Sequence, residues 1–187
     1  MTQESQVPTK AELLEALRSS GRRALEALRA LPADAFEEGR YESGWNGRQI
    51  LAHIASIEWT YQRLVDIAKE APKDAPAPSG PVRRTEPGEA QGLPTRAAQG
   101  GILSYNDRQV AKRDGATVEE LLMEFEENRA ATIAAVESSD EALLQTPIRS
   151  AGGVTGALAG VLNAVAVQHV LAHAGDIAGA PLSAQRW

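Results

Sequence analysis

Three times in this chain a helix start is written in the same way. Thr9 is followed three residues on by Glu12, Asn46 by Gln49, and Thr117 by Glu120. In each pair the first side chain can accept from a backbone N–H of the first turn, while the second reaches back to the cap's own N–H. Apolar residues at helical spacing follow every pair. They are Leu14, Leu17, Ala24, Leu28 and Leu31 in the first segment, and Ile50, Ile54, Ile57, Tyr61, Leu64 and Ala68 in the second. Val118, Leu121, Leu122, Phe125, Ile133 and Val136 form the third stripe. Trp45 is placed to staple onto Ile50, and Pro32 and Pro72 end the first two segments. A fourth segment, from about Val154 to Ala178, is apolar nearly all round, the pattern of a helix buried on every side. With no strand-like alternation and one short extra helix in "GILSYNDRQVAKRDG", the pattern predicts an all-α, four-helix bundle.

The totals agree with one domain spanning residues 1–187. Hydrophobic residues make up 43% of the chain and aromatics 4%, so the core must be built from Ala, Leu, Val and Ile. A net charge of −6 argues against a nucleic-acid surface, which needs clustered Lys and Arg. The chain has no cysteine, which excludes disulfides, thiolate metal sites and a cysteine nucleophile. The polar start "MTQESQVPTK" lacks the apolar core of a signal peptide. The long apolar run near the end carries Asn163, Gln168 and two histidines, which argues against a membrane span. A cytoplasmic protein is the expectation.

All three histidines of the chain fall in apolar helical stretches: His53 in "RQILAHIASIEW", His169 and His173 in "QHVLAHAGDI". His169 and His173 are four residues apart and project from one face, one turn apart. That spacing suits two imidazoles sharing one metal ion. His53 sits about two turns, roughly 10 Å, into its helix, and His173 lies a comparable distance from the end of the last one. The three share a height only if helices two and four run antiparallel. The Pro- and Gly-rich connection 71–101 is long enough to cross the bundle between helices two and three, which delivers that arrangement. Neither a zinc-protease His-Glu-x-x-His pattern nor the Glu-x-x-His of di-iron bundles is present.

"GWNGRQILAHIASIEW", with Trp just before a helix carrying Leu-x-His-Ile, and the later "HVLAHAGDIAGAP" together resemble the DinB-like superfamily. This group also includes the metal-binding domain of mycothiol-dependent maleylpyruvate isomerases and the bacillithiol S-transferases. The resemblance covers essentially the whole chain. It implies an up-down-down-up four-helix bundle and a divalent metal held by three histidines, which map onto His53, His169 and His173. The connection 71–101 is longer than is usual in the family. Together with the Ala-rich helices, the resemblance also suggests a homodimer.

Three neutral imidazoles and an open position form the catalytic rather than the structural zinc pattern. Zinc or nickel suits such ligands, and the site would attract an anion. Without cysteine, any thiol chemistry requires a diffusible low-molecular-weight thiol as cosubstrate, acting on a small-molecule electrophile in an S-transferase or isomerase reaction. A metal-dependent hydrolase and a non-catalytic metal-binding stress-response module are the alternatives. Asp176 is the candidate for a neighbouring polar role, ordering a metal-bound water or a histidine N–H. Glu58 reads as a surface residue, Trp45 and Trp59 as packing residues. Tyr105, Asn106 and Arg108 suit either a pocket mouth or a solvated short helix.

Overall fold

A computed structural model describes residues 7–39, 44–72, 81–86 and 92–182. Four long helical segments form the body. They are α1 (Lys10–Arg29), α2 (Gly47–Lys69), α4 (Val118–Glu137) and a continuous ridge made of α6 (Leu158–Leu162), a π-helical turn (Asn163–Gln168) and α7 (His169–Ala178). Shorter helices α3 (Ile102–Ala111) and α5 (Glu141–Leu144) and a 3-10 turn (Ala33–Phe36) join them. All three capping boxes form as the sequence predicts, at Thr9, Asn46 and Thr117. Helix α2 packs against α4, α3 and α7, and α1 packs against α7 and α4. Leu17, Leu51, Ile54, Phe125, Leu158, Val161 and Val170 are among the side chains almost wholly removed from water in one contiguous core.

Strands are present, contrary to the sequence expectation. β1 (Arg83–Arg84), β2 (Pro147–Arg149) and β3 (Val154–Ala157) form an antiparallel sheet in the order β1-β3-β2. The residues read as the first turn of the last helix are therefore a strand, and the helix starts at Leu158. Runs of two to four residues are too short for alternation to register. The hairpin between β2 and β3 is held by its turn. Ser150 Oγ accepts from the Val154 N–H at 3.0 Å, and Gly153 takes a positive φ of 86°. The connection 71–101 also supplies β1. Val82, just before β1, lies so close to α6 that a Cβ on Gly160 would sit 2.5 Å from its Cγ2.

The ridge Leu158–Ala178 is long and apolar enough by composition to cross a membrane, yet about two thirds of its apolar window is buried inside the fold. It is the core helix that its apolar character on all sides predicts.

Glu58 corrects the sequence reading. It is wholly buried rather than at the surface, and it faces Arg129 of α4. Arg129 sits where the stripe of α4 passes from Phe125 to Thr132 and Val136, so the guanidinium points into the core. Nε and Nη2 donate to Glu58 Oε1 and Oε2 at 2.7 and 2.9 Å; Nη1 donates to the Leu17 carbonyl and to Ser20 Oγ, both at 2.9 Å. Nη2 also donates to the Ala166 carbonyl at 2.5 Å, within the π-helical turn. All five guanidinium protons have acceptors, and the charge lies 5.1 Å from the Phe125 ring centre. Burial raises the Glu58 carboxyl above its ordinary range, and Arg129 opposes that shift. One side chain thus links α1, α2, α4 and the π-helical turn.

Removing one partner of a buried ion pair leaves the other charge without compensation, at a cost of about 3–5 kcal/mol. Arg129→Met alone, measured by urea unfolding, is expected to lose that much. The double variant Glu58→Met/Arg129→Met should recover a good part of it. A single-variant loss below about 1 kcal/mol would show that the pair contributes no more than a surface bridge.

Candidate metal centre

His53 lies on α2 and His169 and His173 on α7, and the fold brings all three imidazoles together. Ring centres are 5.7 Å apart for His53 and His169, 5.3 Å for His53 and His173, and 4.5 Å for His169 and His173. One nitrogen from each ring lies within 4.8 Å of the others, so the three can converge on a single ion. The Trp45 ring lies 5.2 Å from His53, so the tryptophan before α2 packs on a site residue as well as on the core.

Burial makes these imidazoles weak bases. The His53 ring is held down to about 3, first by desolvation and then by the nearby His173. His169 falls well below the usual histidine range for the same leading reason, with His173, His53 and Arg84 adding to the effect. His173 is lowered by burial, with Asp176 acting the other way. All three are therefore neutral near pH 7, the form in which a histidine nitrogen carries a lone pair for a metal. Buried Nδ1 atoms of His53 and His173 have no hydrogen-bond partner. Buried polar atoms are nearly always paired, and an electron-pair acceptor at this point would satisfy them. The donor set fits a divalent ion.

The π-helical turn shapes the approach of His169. Its backbone N–H bonds to the carbonyl of Ala164, five residues back, instead of to that of Val165. The Val165 carbonyl instead acts on the His169 ring as a hydrogen-bond acceptor. A ring nitrogen anchored in this way leaves the other one for a ligand. Single π turns are frequent at functional sites. The run "NAVAVQ" carries no recognisable signal for one, so sequence reasoning missed it. Asp176 lies beside His173, its Oδ2 3.7 Å from Nδ1, too long for a hydrogen bond.

His53 and His169 open onto a cavity of about 630 Å³. Ile57, Leu64 and Ile67 of α2 form one wall, and Val154, Ala164 and Val165 another. Tyr105 and Asn106 line it, as does Trp59, under the guanidinium of Arg63 at 5.4 Å. Arg108 does not. Its guanidinium turns to the Gln99 carbonyl instead. Arg84 and Arg96, both from the crossing connection, also line the cavity. Nothing in a Pro- and Gly-rich stretch marks them as site residues, since only the fold brings that stretch over the histidines.

The depressed histidines set a pH dependence for the metal-free protein. Between about pH 6.5 and the folded-state values, the unfolded chain binds protons that the native one refuses, so stability falls as pH falls through that window. Each histidine kept neutral changes the unfolding constant by about tenfold per pH unit. In chelator-treated samples, the stability lost between pH 6.5 and 5 should shrink in His53→Gln. An unchanged loss would mean that His53 is not held neutral.

No curated protein sequence matches the chain. Among solved structures, that of a mycothiol-dependent maleylpyruvate isomerase has the same fold, with a TM-score of 0.66 at 18% identity. The similarity covers 95% of this chain and 63% of that one, so this chain spans less than two thirds of its neighbour's length. Residues 38–177 match the DinB superfamily, a span that takes in α2, α4, the sheet and all three histidines. The chain belongs to the DinB superfamily.

Proposed function

We propose that His53, His169 and His173 hold one divalent ion, zinc or nickel, and that the protein is a thiol-dependent transferase or isomerase acting on a small electrophile. The observation that carries this reading is the position of the cluster. Three neutral imidazoles from two helices meet beside a largely apolar cavity, and two of them face into it. Three histidines leave a fourth position open. A divalent ion there would supply positive charge that lowers the pKa of a ligating thiol. The thiol must come from outside, because the chain has no cysteine.

The chain's own residues bind and orient. The Val165 carbonyl holds the His169 ring, Trp45 packs against His53, and Asp176 raises the basicity of His173. No Asp, Glu or Lys lines the cavity among the described residues. The structural neighbour's name, which states a dependence on mycothiol, supports the thiol reading. An up-down-down-up order of the long helices accounts for His53 meeting the α7 pair at one height. We also propose that the protein is a cytoplasmic homodimer, which light scattering at micromolar concentration would test, a monomer mass ruling it out.

Protein purified without chelator should carry about one zinc or nickel per chain by elemental analysis. His173→Ala should lose most of it and melt at a lower temperature, since an ion bound only to the folded state stabilises it. Full occupancy with an unchanged melting point would make His173 a packing residue. In the cobalt-substituted protein, adding mycothiol, bacillithiol, coenzyme A or glutathione should produce a sulfur-to-metal charge-transfer band. The effective thiol should then be consumed by a small electrophile only when the metal is present. A flat spectrum with every thiol would remove the thiol assignment while leaving the metal site standing.

A further inference from the structure

The charge of the cavity is one-sided. Arg63, Arg84 and Arg96 line it, and no Asp or Glu does among the described residues. Two of these cations are already engaged. Arg96 makes a two-pronged bond to Glu70 at 2.9 and 3.1 Å, and Arg63 lies over Trp59 with Asp66 at 3.7 Å. Arg84 pairs with β3 through its backbone, and its guanidinium has neither an ion pair nor a hydrogen bond among the described residues.

The strand register decides where Arg84 points. β1 pairs with β3 so that Arg84 lies opposite Val154 and Arg83 opposite Thr155. Opposite residues share a face of the sheet, and successive ones alternate. Arg84 and Val154 both line the cavity, while Arg83 and Thr155 do not. Arg84 is also near enough to His169 to depress that ring electrostatically. Around this cation the cavity is mostly apolar. Leu103, 78% exposed, also lines the cavity. Asn106 adds a buried side-chain oxygen that has no partner. Which end of that carboxamide faces the cavity is set by what it meets, so it can equally offer its N–H groups.

We propose that this cavity takes an organic monoanion with an apolar body, an aryl- or alkyl-carboxylate, whose carboxylate is held by Arg84 beside the histidines and whose carbon body lies along Ile57, Leu64, Ile67 and Leu103. Guanidinium and carboxylate match in shape and charge. A volume of about 630 Å³ suits a small organic molecule well and leaves the apolar walls something to cover. The inference rests on the reading of the cavity as the substrate site, but Arg84 and the apolar walls act whether or not an ion is bound.

Calorimetric titration with three ligands of one shape tests this: 4-phenylbutyrate, 4-phenylbutanol and 4-phenylbutylammonium, each added to chelator-treated and to zinc-loaded protein. In the chelator-treated protein the carboxylate should bind at least about tenfold tighter than the ammonium compound, as one charge-assisted hydrogen bond implies. Arg84→Gln should weaken 4-phenylbutyrate by about tenfold and leave 4-phenylbutanol unchanged, and Arg83→Gln on the opposite face should change neither. Equal binding of anion and cation, equal effects of the two arginine variants, or no binding by any of the three would overturn the proposal. Zinc titration of the same samples separates the two readings. Phenylbutyrate binding in a protein that takes up no zinc would uphold the anion site and sink the metal centre, and zinc binding without phenylbutyrate binding would do the reverse.

Discussion

A charge at the centre of the bundle organises everything around it. Arg129 enters the core from α4 and gives each of its five protons to an acceptor on another element: Glu58 on α2, Leu17 and Ser20 on α1, and Ala166 in the π-helical turn. An isolated charge at such depth would cost many kcal/mol, and even a paired one is rarely a net source of stability. What it provides is a single permitted arrangement. Apolar burial is non-directional, whereas a two-pronged bond combined with three further hydrogen bonds demands one geometry. The helices that carry the histidines are the ones this side chain ties together.

The link to Ala166 connects the core to the site. A π-helical turn widens the helix and sets carbonyls free from their usual partners. Arg129 takes the Ala166 carbonyl, and the Val165 carbonyl turns to the ring of His169. His169 thus follows directly on an irregular turn held by the buried ion pair. His173 comes one regular turn later, and its position follows from that of His169. His53 arrives independently, on α2, five residues before Glu58. The two halves of the histidine cluster are therefore registered by the same ion pair that joins α2 to α4 and the π-helical turn.

The crossing connection contributes a different kind of order. Its described residues place β1 against β3 and set Val82 against Gly160, with no room for a larger side chain there. Arg84 and Arg96 then line the cavity onto which His53 and His169 open. The helices supply neutral imidazoles, an apolar wall and Arg63, and the connection adds Arg84 and Arg96. Rigid helices hold the ligand-type residues, and the segment crossing above them adds to the polarity of the cavity.

Much of the molecule could be read before folding was considered. The three capping boxes, the apolar stripes and the uniformly apolar last helix are local patterns, because hydrogen bonds within a turn and the 3.6-residue period depend only on neighbours in sequence. The three histidines could be singled out for the same reason, two of them by a four-residue spacing and the third by its similar helix. Glu58 could not be placed correctly, since an acidic side chain on a helix reads as solvated until a partner is known. Arg129 offered a weak sign, a cation interrupting the stripe between Phe125 and Val136. The π-helical turn, the two- to four-residue strands and the cavity arginines left no local signature. Each depends on contacts between segments distant in the chain: Ala166 with Arg129, Arg84 with Val154, the connection with the last helix. Local sequence determined the helices and the metal-ligand type of residue. Only tertiary packing decided which charge was buried, where the ridge broke its register and what faced the histidines, because burial and pairing are properties of the folded arrangement and not of any one segment.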